Sequence, residues 1–133
     1  IRRVAGMLMT GGLIDYLDMS LWDVGKLPVE EEFADKSLID WFAELPRGDC
    51  RLGVAGKIME PAHAASLLEK VDFVLLGRAA ILHHDWPLRA AKEDGFKPVS
   101  LPVTRAYLAS EGLSPAFQDY MAAWKGFVAE EAA

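Results

Sequence analysis

The chain has 133 residues, 52% hydrophobic and 26% charged, which suits one folded domain and excludes both two domains of ordinary size and a disordered chain. Its formal net charge of −6 argues against a nucleic-acid partner, because a phosphate backbone needs clustered Lys and Arg and the 14 basic residues are scattered. The single cysteine, Cys50, excludes an internal disulfide framework, and no apolar run is long enough to cross a bilayer, so the expected compartment is the cytoplasm.

The chain opens on Ile1-Arg2-Arg3-Val4, with no initiator Met and no helix cap, as expected of a chain entered in mid-element. Val4, Met7 and Leu8 give residues 1–10 a helical spacing, and Gly11-Gly12 should stop the helix. Residues 13–20 form a short β-type run with apolar Ile14, Tyr16 and Leu17. A polar connection over 22–35 is punctuated by Gly25 and Pro28, and its Glu30-Glu31-Glu32 run reads as solvated surface, as does Glu130-Glu131. Ser37 is placed to cap a helix whose apolar face is Leu38, Ile39, Trp41, Phe42 and Leu45, ended by Pro46.

Cys50 stands at the entrance to a second strand, residues 51–55, and is expected to be a packed thiol. Gly56 closes this strand. Pro61 suits the first helical position, and Ala64, Leu67, Leu68 and Val71 make one face of the helix it starts. Residues 72–76 are an unbroken apolar run after Asp72, the pattern of a strand buried on both faces; Gly77 and Arg78 follow at once. Short strands alternating with amphipathic helices imply βαβ crossovers and a parallel sheet. Beyond Pro87 the pattern changes to a helix end at 88–92, a loop over 95–102 and a final amphipathic helix. That helix is signalled by Ser114-Pro115 and by the stripe Phe117, Tyr120, Met121, Trp124, Phe127 and Val128.

Two successive strands that end in glycine are the most informative feature. In parallel α/β proteins ligands gather at the carboxyl ends of strands, and a residue without Cβ lets backbone N–H groups approach an anion. The helix after Gly56 would point its N-terminus the same way. Arg78 adds a forked donor suited to phosphate oxygens. Amides of Gly56, Lys57, Gly77 and Arg78 are thus the expected phosphate cradle, against the plainer reading in which these glycines merely end strands. His83-His84-Asp85 is a weak metal signal, since adjacent residues diverge and no further ligand sits at a usual spacing. His63 is expected at the surface, and Tyr16 and Tyr107 in packing roles.

The stretch Gly53-Val54-Ala55-Gly56-Lys57-Ile58-Met59-Glu60-Pro61-Ala62-His63-Ala64, then Asp72-Phe73-Val74-Leu75-Leu76-Gly77-Arg78-Ala79-Ala80-Ile81 and Asp85-Trp86-Pro87, resembles the last two βα units of the NADH:flavin oxidoreductase (Old Yellow Enzyme) family. Ile14-Asp15-Tyr16-Leu17-Asp18-Met19-Ser20 resembles that family's sixth strand. The resemblance covers residues 1–91. It implies an α/β fold, the C-terminal part of a (β/α)8 TIM barrel from about strand 6 to strand 8, with residues 92–133 as a C-terminal extension. It also implies FMN as cofactor, NAD(P)H as reductant and an activated alkene as substrate, with the FMN phosphate held at Gly56, Lys57, Gly77 and Arg78. Lys57 stands where the family often has a small or polar residue, and residues 49–52 lack the family's strand-leading proline. The family's catalytic His/Asn or His/His pair and its tyrosine proton donor lie earlier in the barrel, so no catalytic residue is expected here and the isolated chain should be inactive. A three-stranded open sheet would leave two bare edges, which predicts a homo-oligomer. Two other functions fit the same residues: a flavin-free phosphate-binding barrel, or a non-catalytic assembly module.

Overall fold

The structure, a computed structural model, describes residues 1–130, so Glu131 and the last two residues of the expected extension lie outside the described residues. It divides into two compact units, Ile1–Gly77 and the residues from Arg78 onward.

The first unit is a small mixed α/β domain. Its elements are α1 (Arg2–Thr10), β1 (Tyr16–Ser20), a 3-10 turn (Glu31–Phe33), α2 (Leu38–Ala43), β2 (Arg51–Ala55), α3 (Pro61–Leu67) and β3 (Phe73–Leu75). The strands form one parallel sheet in the order β1-β2-β3, with Tyr16 opposite Arg51, Ser20 opposite Ala55, and Ala55 opposite Leu75. Central β2 is the best buried: Leu52 and Val54 are inaccessible to solvent. Gly53, on the opposite face, is covered by the ring of its register partner Phe73, which occupies the space a Cβ would need. Asp72 fastens the start of β3, because its N–H donates to Leu52 O at 2.8 Å and its carboxylate accepts from Leu52 N at 2.7 Å and Arg47 Nη1 at 2.8 Å.

Local signals act as expected at the helix starts. Ser37 Oγ accepts from the Asp40 amide and caps α2, and Pro61 sits in the first turn of α3. Burial differs at three places. In α1 the buried residues are Ala5 and Met9, one turn apart, while Val4, Met7 and Leu8 are exposed. Val4 and Leu8 instead line an apolar groove of about 440 Å³ together with Leu17, Leu21 and Phe42. In α3, Leu68 falls at the C-cap and is half exposed, leaving Ala64, Leu67 and Val71 inside. β3 is not buried on both faces, because it is an edge strand of a three-stranded sheet and its residues are only half-buried.

The second unit contains α4 (Arg78–Leu82), α5 (Trp86–Lys92), α6 (Arg105–Ser110) and α7 (Pro115–Ala122). Thr104 and Ser114 hydroxyls cap α6 and α7, and an Arg105–Asp119 ion pair at 2.6 Å ties these two helices together. The final helix is shorter than its aromatic stripe suggests. Beyond it the chain bends so that Val103 N donates to Phe127 O at 3.0 Å and Ala129 N donates to Val103 O at 2.8 Å, which buries Phe127 outside the helix. Within α7 the buried positions are Gln118 and Met121, while Phe117, Tyr120 and, just past the helix, Trp124 form an outward ladder with ring centroids 5.6 and 6.1 Å apart. Among the described residues no helix is long and apolar enough to cross a membrane.

Candidate functional site

Parallel pairing makes all strands of the first unit end at one edge. Register pairs Ser20–Ala55 and Ala55–Leu75 bring Gly56, just past β2, and Gly77, two residues past β3, to this carboxyl edge. The two glycines have different surroundings. At Gly56 φ is +150°, and an added Cβ would lie 2.5 Å from Leu21 O and 2.9 Å from Asp23 N. The loop leaving β1 runs across this point, fixed by Leu21 N to Ala55 O at 2.8 Å and Val24 N to Gly56 O at 3.2 Å. The fold itself therefore demands glycine at 56. At Gly77 an added Cβ would meet nothing within 4 Å and φ lies outside the left-handed range, so neither crowding nor backbone strain explains the residue there.

Lys57 follows with φ +51°, a left-handed conformation uncommon for a residue with a side chain. Its ammonium bonds Asp23 Oδ2 at 2.8 Å. That bond, with a hydrogen bond from the Gly25 amide, holds the Asp23 carboxyl below its ordinary range. The Lys57 amine is thus engaged with a carboxylate on the β1 loop, which leaves its main chain as the part facing other tasks. Arg78 is the next residue after Gly77 and the first of α4; the first N–H groups of a helix have no acceptor within it.

The histidines separate into two roles. His83 is buried, 4% exposed, with Nε2 accepting from Val99 N at 2.9 Å. This fixes Nε2 as acceptor and assigns the ring proton to Nδ1, 3.2 Å from the Tyr107 hydroxyl, which in turn donates to Leu82 O at 2.7 Å. Burial pushes the His83 imidazole below its usual value and the Tyr107 phenol above its own. Tyr107 is therefore a structural hydrogen-bonding residue, and Tyr16 lies mostly exposed with its ring edge-on to Phe73. His84 is exposed and meets Glu111: its N–H donates to Glu111 Oε2 at 3.0 Å and its Nδ1 lies 2.8 Å from the same oxygen. Burial alone would raise the Glu111 carboxyl, but the hydrogen bonds from His84 outweigh it and hold the group below its ordinary range. Sequence spacing could not show this pair, because 27 residues separate its members. His63 is exposed, Cys50 is a buried free thiol, and Glu30, Glu31 and Glu32 are solvated.

No family model and no curated protein matches the chain.

Proposed function

We propose that this chain is the phosphate-anchoring C-terminal part of an FMN-dependent (β/α)8-barrel oxidoreductase of the NADH:flavin oxidoreductase type, acting in the cytoplasm. One observation carries the reading: β2 and β3 pair in parallel so that Gly56 and Gly77 leave the sheet at one edge. The open space over Gly77 supports the reading, since a residue whose Cβ would touch no atom of the described residues is where a ligand can reach the backbone. Amides of Gly56, Lys57 and Gly77 would hold the phosphate, with Arg78 next in the chain supplying the cation. Bound FMN would take a hydride from NAD(P)H and deliver it to the β-carbon of an activated alkene; the protein's share is binding, orientation and electrostatics.

Fluorescence titration of FMN into the 133-residue chain tests this directly. Saturable quenching is expected, weakened about tenfold or more by Gly77→Ala and by Arg78→Ala, a loss of about 1.4 kcal/mol or more. Absence of saturable FMN binding would overturn the reading. Thermal stabilisation by inorganic phosphate without FMN quenching would favour a flavin-free phosphate-binding barrel instead. Enone reduction by the chain alone would contradict the role assigned to it, which is anchoring without catalysis.

A further inference from the structure

A second polar cluster lies wholly in the unit that begins at Arg78, and the flavin reading makes no use of it. His84 and Asp85 occupy the turn between α4 and α5, and Glu111 is the C-cap of α6. One ligand-type atom from each, an imidazole nitrogen and two carboxylate oxygens, lies within 4.8 Å of the others. We propose that His84, Asp85 and Glu111 form a binding site for a divalent transition-metal cation of the zinc class, with water completing its coordination.

The donor set selects this class. Imidazole with two carboxylates suits borderline ions such as Zn²⁺, Co²⁺ or Mn²⁺; the absence of thiolate from the trio disfavours soft ions. Calcium takes about six to eight oxygen ligands, far more than two carboxylates provide. The geometry requires small movements only. Bonds of about 2.0–2.2 Å place neighbouring ligands about 3.0–3.5 Å apart, and His84 Nδ1 to Glu111 Oε2 is now 2.8 Å, with a proton between them. A cation would take that proton's place, and the neutral ring would carry its proton on Nε2 instead. His84 has the freedom to adjust, because its side chain is 66% exposed, whereas the Glu111 side chain is only 14% exposed and already oriented by the His84 amide.

Asp85 supplies the third argument. It occupies the N-cap position of α5, where an aspartate normally accepts from the helix amides, yet its carboxylate makes no capping bond. The helix does not use this side chain. Electrostatics also favour a cation, because Asp85 and Glu111 bring two negative charges beside a histidine, while Arg89, whose Nη1 lies 3.3 Å from His83 Nδ1, is engaged by both oxygens of Glu93. Two other side chains face Glu111: buried His83, with Nδ1 4.0 Å from Oε1, and Tyr107, whose phenol is pushed up by burial and then by the Glu111 carboxylate. Bound metal would join the α4–α5 turn to the end of α6 and stabilise this unit by mass action.

The test is Co²⁺ and Zn²⁺ titration of the full chain, free of any polyhistidine tag, followed by calorimetry, visible absorption and thermal melting. Saturable uptake of one equivalent is expected, with a d–d band for Co²⁺ and a higher Tm with Zn²⁺. His84→Ala, Asp85→Asn and Glu111→Gln should each weaken binding about tenfold or more. His84→Ala retains the backbone N–H that bonds Glu111, so its fold is preserved while its ligand is lost. No saturable binding, or binding that survives all three substitutions, would overturn the proposal. So would binding abolished by His63→Ala but not by His84→Ala. None of these measurements uses FMN, so the metal and flavin assignments stand or fall separately.

Discussion

Gly56 and Gly77 look alike in the sequence, each ending a strand, yet they answer different demands. Gly56 is required by the backbone of Leu21 and Asp23, which passes where a Cβ would be. Nothing local announces that crossing, because it comes from a loop more than thirty residues earlier in the chain. Gly56→Ala should therefore destabilise the protein by about 1–3 kcal/mol, through strain and overlap with main chain that cannot rotate away. Gly77→Ala should stay within about 0.5 kcal/mol of the parent, as a surface change meeting no neighbour. Urea midpoints of the two variants measure the contrast, and equal losses would refute it. The same limit on local signals applies to His83 and His84. Adjacent in sequence, one is buried beside Tyr107 and the other reaches Glu111, and only long-range contacts tell them apart.

At the level of elements, starts were more legible than faces. Ser37, Pro61 and Ser114 announce α2, α3 and α7 because capping chemistry is local: a hydroxyl or a fixed φ acts within one turn. Burial is set by partners, so periodicity alone points to Val4, Met7 and Leu8 where Ala5 and Met9 are the buried pair. For the same reason α7 ends at Ala122, short of its aromatic stripe, since Phe127 is buried by the Val103 pairing and not by a helical face. Between α2 and the segment after α3, Lys70 and Ser37 donate to the Asp40 carboxylate. The Lys70 bond, then that of Ser37, holds this carboxyl below its ordinary 3.8. The unfolded chain then binds a proton that the folded chain resists, so the contribution is present above the unfolded value and disappears as pH falls through the folded one. Because both side chains are partly solvated, Asp40→Asn should cost only about 0.2–1 kcal/mol at pH 7. The difference should shrink as pH falls below 3.8, as read from urea midpoints across the acid range. A variant gap that is constant with pH would show that packing, not charge, holds the contact.

For the whole molecule, alternation of helices and strands indicated a parallel sheet, and the order β1-β2-β3 has that arrangement with β1 and β3 as edges. What alternation could not show is how much apolar surface this first unit leaves uncovered. Leu13, Trp22 and Val29 are each more than two-thirds exposed, and the groove between α1 and the sheet is lined by Val4, Leu8 and Phe42. Surface of this kind, next to unpaired strand edges, favours association. Light scattering at micromolar concentration should therefore give a mass above the 14.6 kDa of one chain. Charged substitutions at Val4 and Leu8 should reduce it. A single-chain mass for the parent would remove the expectation.

The ring of Phe73 resting on bare Gly53 acts as a tooth in a notch. A parallel pair that slid by two residues would keep every side chain on its proper face, so alternation alone does not forbid the slip. After such a slip Phe73 would stand opposite Arg51 or Ala55, each carrying a methylene or methyl where the ring must lie. One aromatic–glycine contact midway along the central strand thus sets the alignment of β2 against β3, and with it the level at which the two strand ends emerge.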